Sequence, residues 1–322
     1  MHRTALKTIF GIAACLSLAI SQAQAAEDFE MYKKVDDLSG NLNSIGSDTL
    51  LEMMQDWTTD FKKMYSKVNV TINQKGSATA PPALISGLAN IAPMSRKMTD
   101  EETSAFEIKN GYKPTAVRVA IDAIAIYVEK NNPIPGLSLP QVDAIFSTGK
   151  TCGYKNDIAF WKDLNIAGPL ADKEINLYGR NSESGTHAFL KEKGLCQGEY
   201  KKTIKEYSDS VELVKGVAQD PSAIGYSGIG FLTDGVRTVA LAREQNQPYI
   251  EASLENVGNA KYPLSRFLFI YVNKPPAAPL STLELEFLKY VLSAQGQEVV
   301  KKQGFVPLHN GIAAKELEVI MK

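Results

Sequence analysis

The chain has 322 residues, of which 44% are hydrophobic and 22% are charged, the composition of a soluble globular protein with room for two domains. Its net charge is only −1, and no run of five or more basic residues occurs. Proteins that bind nucleic acids carry a basic surface, so this charge balance argues against nucleic acid as a partner.

The first 25 residues predict a secretory signal peptide. A basic segment at residues 1–7 precedes an apolar run at residues 8–20, and an A-x-A cleavage sequence ends at Ala25. We therefore expect an exported protein whose mature chain starts near Ala26. The segment Ile12-Ala13-Ala14-Cys15 resembles a lipoprotein cleavage box. That box lies inside the apolar run, so lipid anchoring is the less favoured alternative.

Two cysteines, Cys152 and Cys196, remain once the predicted signal peptide is removed. In an oxidising compartment two cysteines are expected to form a disulfide, and two free thiols are the alternative. A two-cysteine metal site is not favoured, because neither His187 nor His309 has ligand spacing to a cysteine. The sequence therefore predicts one disulfide, no metal and no cofactor.

The first third of the mature chain alternates strands and helices. Strands are predicted at residues 41–45, 68–72 and 91–94, and helices begin near residues 50, 83 and 99. Such alternation is typical of a parallel α/β sheet. Because parallel strands end at the same edge of a sheet, the turns that follow these strands are expected to share one rim.

Two long β runs flank a central block with its own alternating elements. The runs are residues 117–128 and 267–272; the block has predicted helices at 139–146, 160–164 and 207–218 and strands at 175–178 and 223–228. Helices at 281–293 and from 296, then an extended segment at 305–308, complete the chain. We predict two α/β lobes, lobe one being residues 26–122 and 263–322 and lobe two residues 123–262. The two β runs would cross between them and allow hinge closure on a ligand.

Four turns rich in serine and threonine follow predicted strands, at residues 46–49, 76–79, 95–96 and 180–186. One such turn is a weak signal, since these residues are common in structural turns. Four turns on one rim, two of them carrying Arg96 and Arg180, favour an anion site. Hydroxyls, guanidinium groups and the free N–H groups of helix N-termini would all donate to an oxyanion there.

Catalytic motifs are weak by comparison. The segment Gly225-Tyr226-Ser227-Gly228-Ile229 does not match the G-x-S-x-G elbow of serine hydrolases, because its fifth residue is isoleucine. His187 is the only histidine near a candidate serine, and its place in a predicted first helical turn indicates a surface residue. No phosphate-binding G-K-[ST] loop and no dinucleotide fingerprint follow a strand. An enzyme is therefore not the favoured interpretation.

The four turns together resemble a known family. Gly46-Ser47-Asp48-Thr49-Leu50, Gly76-Ser77-Ala78-Thr79, Met94-Ser95-Arg96 and Gly179-Arg180-x-x-x-Ser184-Gly185-Thr186 are similar, in order and spacing, to the PstS-like periplasmic phosphate-binding proteins of ABC transporters. The resemblance covers about residues 40 to 308. It implies a type II periplasmic-binding-protein fold and a periplasmic, monomeric receptor. Such a receptor takes inorganic phosphate and delivers it to a membrane permease.

The same resemblance implies a ligand set. Phosphate would be held by Ser47, Asp48, Thr49 and Ser77 from lobe one and by Arg180, Ser184, Gly185 and Thr186 from lobe two. Ser95 and Arg96 of the third turn are further candidate ligands. The third turn departs from the family, whose known members have a Ser-Asp pair there. That aspartate accepts the proton of bound phosphate and so helps to exclude sulfate, which has no proton to donate.

The third turn carries Arg96 at the position of that aspartate, and another carboxylate would then take over as the proton acceptor. Asp48, or failing that Asp122, is our hypothesis. The alternatives are a helix N-cap for Asp48, a salt-bridged hinge residue for Asp122 and a structural ion pair for Arg96.

A phosphate receptor is thus the leading hypothesis. A receptor for another tetrahedral oxyanion (sulfate, molybdate or arsenate) is the second. A secreted phosphatase or a phosphate-scavenging adhesion protein is the less favoured third.

Overall fold

A computed structural model describes residues 29–322, and within them ten strands form one mixed sheet. The predicted signal peptide lies outside the described residues. The strands are β1 (Gly40–Gly46), β2 (Val68–Gln74), β3 (Ile91–Met94), β4 (Thr115–Glu129), β5 (Gly136–Ser138), β6 (Asn176–Arg180), β7 (Lys205–Tyr207), β8 (Ala223–Gly228), β9 (Val236–Ala242) and β10 (Ser265–Val272).

The helices of the described chain follow the strands. They are α1 (Leu51–Met64), α2 (Ala80–Ile85), α3 (Asp100–Asn110), α4 (Leu139–Phe146), α5 (Gly185–Lys193), α6 (Ser210–Ala218), α7 (Leu254–Gly258), α8 (Thr282–Val291), α9 (Ala294–Lys302) and α10 (Asn310–Met321). Short 3-10 helices lie at Asp48–Leu50, Ser77–Thr79, Trp161–Leu164 and Ile229–Phe231. None of the helices in residues 29–322 has the length and apolar character needed to cross a membrane.

The strand order is β2-β1-β3-β10-β4-β8-β6-β7, with β9 beside β4 and β5 beside β9. Strand β1 is parallel to β2 and β3, and β6 is parallel to β7 and β8. We call these two groups the first sheet half (β1 to β3) and the second sheet half (β6 to β8). The predicted α/β class is confirmed.

The two long β runs lie between the sheet halves, as expected. Residues 115–123 of β4 pair antiparallel with β10, whereas residues 124–129 pair with β8 and β9. Strand β10 in turn pairs with β3. One end of β4 is therefore joined to the first half through β10, and the other end pairs with β8 of the second half. The change of partner lies beside the predicted boundary between the lobes at residue 122.

Local signals explain several element starts. Helix α4 begins with a capping box between Ser138 and Gln141, and α3 begins with one between Thr99 and Glu102. In contrast, the N-cap assignment for Asp48 is wrong. The hydroxyl of Ser47 caps that 3-10 turn by accepting the backbone N–H of Thr49.

The core beneath the first sheet half is aromatic. Phe61 of α1 packs edge-on against Phe287 of α8, and their ring centroids are 5.3 Å apart. The indole N–H of Trp57 donates to the carbonyl of Gly296 at 2.8 Å, which joins α1 to α9. These contacts fix the helices behind the sheet and leave the carboxyl ends of its strands for the functional site.

The predicted disulfide is confirmed. Cys152 and Cys196 are bonded, and their Cα atoms are 5.4 Å apart. The bond joins the segment after α4 to the end of α5, and the hydroxyl of Thr151 also donates to the carbonyl of Leu195 at 2.7 Å. It therefore anchors the C-terminal end of α5.

Replacing both cysteines with serine is expected to lower the free energy of unfolding by about 4 kcal/mol. The bond closes a loop over a sequence separation of 44 residues, and opening that loop raises the entropy of the unfolded chain. Urea unfolding of the oxidised protein and of the Cys152→Ser/Cys196→Ser variant measures the difference. Equal unfolding midpoints and slopes in both proteins would contradict the expectation.

Candidate functional site

The carboxyl ends of β1, β2 and β3 face the turn that follows β6. The hydroxyl oxygens of Thr49 and Thr186 are 3.4 Å apart, and the backbone N–H of Ala78 donates to the carbonyl of Glu183 at 3.1 Å. Residues separated by more than a hundred positions thus meet at one place. The structure brings together the turns at 46–49, 76–79 and 180–186, which the sequence placed on a common rim.

Two glycines allow this close approach. A Cβ atom on Gly185 would lie 2.2 Å from the hydroxyl oxygen of Ser77 and 2.5 Å from that of Ser95. A Cβ atom on Gly76, whose φ is +144°, would lie 2.4 Å from the carbonyl oxygen of Glu183. Any side chain at either position would push the two sheet halves apart.

The hydroxyl groups expected at the site are buried. They belong to Ser47, Thr49, Ser77, Ser95, Ser184 and Thr186. The hydroxyl oxygens of Ser77 and Ser95 are 3.2 Å apart, and the backbone N–H of Ser95 donates to Ser77 at 3.0 Å. The site therefore offers several hydroxyl groups shielded from water.

Helix α5 begins at the site. Ser184 is its N-cap, and the hydroxyl of Ser184 accepts the backbone N–H of Thr186 at 3.1 Å and that of His187 at 3.4 Å. The free N–H groups and the positive end of the helix dipole favour an anion in front of Gly185.

Arg180, at the end of β6, is 1% exposed. Its Nη2 atom lies 2.8 Å from Oδ2 of Asp48 and donates to the carbonyl of Ser208 at 2.8 Å, and its Nη1 atom donates to the hydroxyl of Ser210 at 2.6 Å. These partners hold the guanidinium plane in one orientation. The other oxygen of Asp48, Oδ1, is buried and has no hydrogen-bond partner within the described residues.

Arg266 was missed by sequence reasoning, and it lies beside the same helix terminus. Its Nε atom donates to Oδ2 of Asp122 at 2.8 Å, and its Nη2 atom donates to the hydroxyl of Thr186 at 2.9 Å. The backbone N–H of Ile229 donates to the second oxygen of Asp122 at 3.2 Å. Burial raises the pKa of the Asp122 carboxyl, and the charge of Arg266 opposes part of that rise. The ion pair considered as the alternative for Asp122 is therefore present.

Arg96 is not brought together with the other predicted residues. Its guanidinium group forms two hydrogen bonds with the carboxylate of Glu102, at 2.6 and 2.7 Å. Glu102 also closes the capping box of α3, so it holds Arg96 on that helix. Arg96 therefore forms the structural ion pair that was the alternative to phosphate binding. Its neighbour Ser95 does lie at the site.

His187 was expected on the surface, and that expectation is wrong. Its ring packs against Tyr200, with centroids 4.2 Å apart, and the residue is partly buried. Burial lowers the pKa of His187 to about 4, and the charges of Lys191 and Arg180 contribute. The imidazole is consequently neutral at neutral pH.

This low pKa predicts a pH-dependent stability. Between about pH 6.5 and pH 4 the unfolded chain binds a proton at His187 that the folded protein does not, so acid favours unfolding. Acidification from pH 7 to pH 5 is expected to destabilise the natural protein by about 1 kcal/mol more than His187→Gln, after allowance for solvent screening. Urea unfolding at both pH values measures it, with the exposed His309→Gln as matched control. Equal acid sensitivity of the natural protein and His187→Gln would contradict the assignment.

A mixed sheet in two halves, crossed by two long strands and closed over buried arginines, hydroxyls and a helix N-terminus, defines an oxyanion-binding protein of the type II periplasmic-binding-protein class. Residues 33–295 match the family model of the PBP superfamily domain. The phosphate-binding protein PstS of Pseudomonas aeruginosa is 49% identical over 307 residues, which are 95% of each chain. The chain therefore belongs to the PstS family of phosphate-binding proteins.

More distant relatives agree with this assignment. PstS of Staphylococcus epidermidis is 29% identical over 265 residues, 81% of this chain and 77% of that protein. A solved structure from Clostridium perfringens, described as a candidate phosphate ABC transporter substrate-binding protein with bound phosphate, superposes with a TM-score of 0.70. It is 28% identical, and the match covers 84% of this chain and 100% of that chain.

Proposed function

We propose that this protein captures inorganic phosphate at the site described and delivers it to the permease of an ABC transporter. The observation that carries the proposal is the buried, unpartnered Oδ1 atom of Asp48 beside the buried guanidinium of Arg180. A buried carboxylate oxygen without a donor is costly, and a protonated oxyanion supplies that donor. Phosphate carries such a proton at neutral pH, and the Pseudomonas relative is a phosphate-binding protein.

The proposed ligands come from both sheet halves. They are Ser47, Asp48, Thr49, Ser77 and Ser95 from the turns after β1, β2 and β3, and Arg180, Ser184, Gly185 and Thr186 from the turn after β6. Micromolar binding requires about 8 kcal/mol. Several charge-assisted hydrogen bonds of about 1.5–3 kcal/mol each supply this after the costs of association.

Asp48 is the proposed proton acceptor in place of the aspartate that the third turn lacks. Both oxygens of Asp122 already accept hydrogen bonds, from Arg266 and from Ile229, whereas Asp48 keeps one oxygen free. A negatively charged acceptor repels the oxygens of sulfate and attracts the proton of phosphate. This difference would make the site selective for phosphate and for arsenate, which also carries a proton.

The proposal includes the wider organisation of the protein. Within the described residues, lobe one would comprise residues 29–122 and 263–322, and lobe two residues 123–262. The protein would act in the periplasm as a monomer whose two lobes close on phosphate. The contact between Ala78 and Glu183 supports closure, because it joins the phosphate-binding turns of the two lobes directly. The protein binds and releases phosphate without chemical change.

Titration calorimetry on protein stripped of ligand tests the function. Phosphate is expected to bind at micromolar concentration or below, and sulfate and molybdate far more weakly. No phosphate binding at micromolar concentration would overturn the proposal, and tighter binding of sulfate or molybdate would favour the other oxyanion receptor. Turnover of a chromogenic phosphate ester would instead favour a phosphatase.

A further inference from the structure

Arg266 and Asp122 form a buried ion pair at the junction of the two sheet halves. They are direct partners in the pairing of β10 with β4, and they are 5% and 0% exposed. Asp122 lies two positions before Ile124, where β4 exchanges its partner β10 for β8. The pair therefore lies on the strands that connect the two halves, and through Thr186 it also reaches the start of α5.

The guanidinium of Arg266 is only partly used by these contacts. Its Nε and Nη2 atoms contact Asp122, and Nη2 also donates to Thr186. The remaining nitrogen, Nη1, is buried and has no hydrogen-bond partner within the described residues. A buried charged donor without an acceptor is strongly unfavourable, so native proteins rarely leave such a group without a partner.

The position of Nη1 indicates what that partner is. Nη1 shares its carbon atom with Nη2, which donates to the hydroxyl of Thr186, so Nη1 lies close to the start of α5. Thr186 in turn is 3.4 Å from the hydroxyl of Thr49 across the site. The ring of Phe189 covers another side of the guanidinium, with 5.5 Å between its centroid and the guanidinium carbon. An anion in front of α5 is the natural acceptor for this donor.

We propose that Arg266 is a second anion-binding arginine of the site, whose Nη1 group donates to a phosphate oxygen. Asp122 is then a positioning residue, which orients the guanidinium and does not accept the phosphate proton. This inference rests on the proposed function and adds to it. Since Asp122 also accepts the N–H of Ile229, the pair connects the anion to β4, β10 and the turn after β8. Phosphate binding would thereby act directly on the strands between the lobes.

The test uses the Arg266→Gln/Asp122→Asn double variant, which removes both charges and leaves two amides that can bond to each other. Phosphate affinity measured by calorimetry is expected to fall at least about 30-fold. The matched control is Arg118→Gln/Glu316→Gln. It removes another arginine-carboxylate pair of β4, one that joins the strand to α10, and phosphate affinity is expected to stay within about twofold.

Melting temperature separates a ligand from a structural residue. A purely structural pair would lower the melting temperature of the ligand-free protein and leave the increase caused by phosphate unchanged. The proposal requires that the increase itself shrink. Arg266→Lys is the second variant, because it keeps the charge beside Asp122 but loses the forked donors, and about tenfold weaker binding is expected.

The outcomes distinguish the two proposals. Phosphate affinities of the double variant and of Arg266→Lys that stay within about threefold of the natural protein would overturn the role of Arg266 alone. If the double variant does not fold, Arg266→Lys decides by the same criterion. Absence of phosphate binding by the natural protein would overturn the proposed function, and the inference would fall with it.

Discussion

Replacing Arg180 with methionine is expected to weaken phosphate binding at least about 100-fold. The change removes a charge-assisted hydrogen bond of about 1.5–3 kcal/mol from the one N–H group that the described part of the protein leaves free, and about 1.4 kcal/mol corresponds to a factor of ten. It also leaves Asp48 without its cation, so an uncompensated carboxylate would face the anion. Calorimetry with phosphate measures the loss, and circular dichroism checks that the variant is folded.

Two further variants sharpen this test. Arg180→Lys retains the charge but cannot reach Asp48, Ser210 and Ser208 together, so its affinity should lie between those of the natural protein and Arg180→Met. Arg237→Met is the matched control, since Arg237 donates to carbonyl groups such as that of Asn132. The expected role of Arg180 is wrong if Arg180→Met and the control bind phosphate equally well.

Replacing Asp48 with asparagine is expected to lower the ratio of phosphate to sulfate affinity by about 100-fold. The amide cannot accept the phosphate proton as strongly as a carboxylate, and it no longer repels the fully ionised sulfate. Each of these two effects lowers the affinity ratio by roughly 10-fold to 100-fold. Competition between the two anions, followed by calorimetry at constant pH and ionic strength, gives the ratio.

Asp122→Asn is the informative comparison for Asp48→Asn. Both oxygens of Asp122 are already engaged, so this variant should weaken phosphate and sulfate together through the displacement of Arg266 and leave their ratio nearly unchanged. A collapse of selectivity in Asp122→Asn but not in Asp48→Asn would transfer the acceptor role to Asp122.

Much of the fold follows from local signals. Helix α4 was predicted at residues 139–146 and occupies Leu139–Phe146, because the capping box of Ser138 and Gln141 and a proline in the first turn specify its start. Strands β3, β4 and β10 were likewise found from continuous apolar runs. The short strands β5, β7 and β9 were missed, because three to seven residues with mixed polarity carry little periodic signal. Helix α10 was also missed, because the last element predicted from the sequence was the extended segment at 305–308.

By itself the sequence determined the α/β class and the serine- and threonine-rich turns that follow the strands, because these depend on neighbours a few positions apart, which a single segment displays. The phosphate-binding role of the turn from Arg180 to Thr186 came from the family resemblance and stays a prediction. Only the tertiary structure decided which charges meet. Asp122 and Arg266 are 144 positions apart and become partners through strand register. Arg96 pairs with Glu102, six positions away, and therefore does not join the site. The pairing of distant charges is settled by packing and burial, which no local pattern contains.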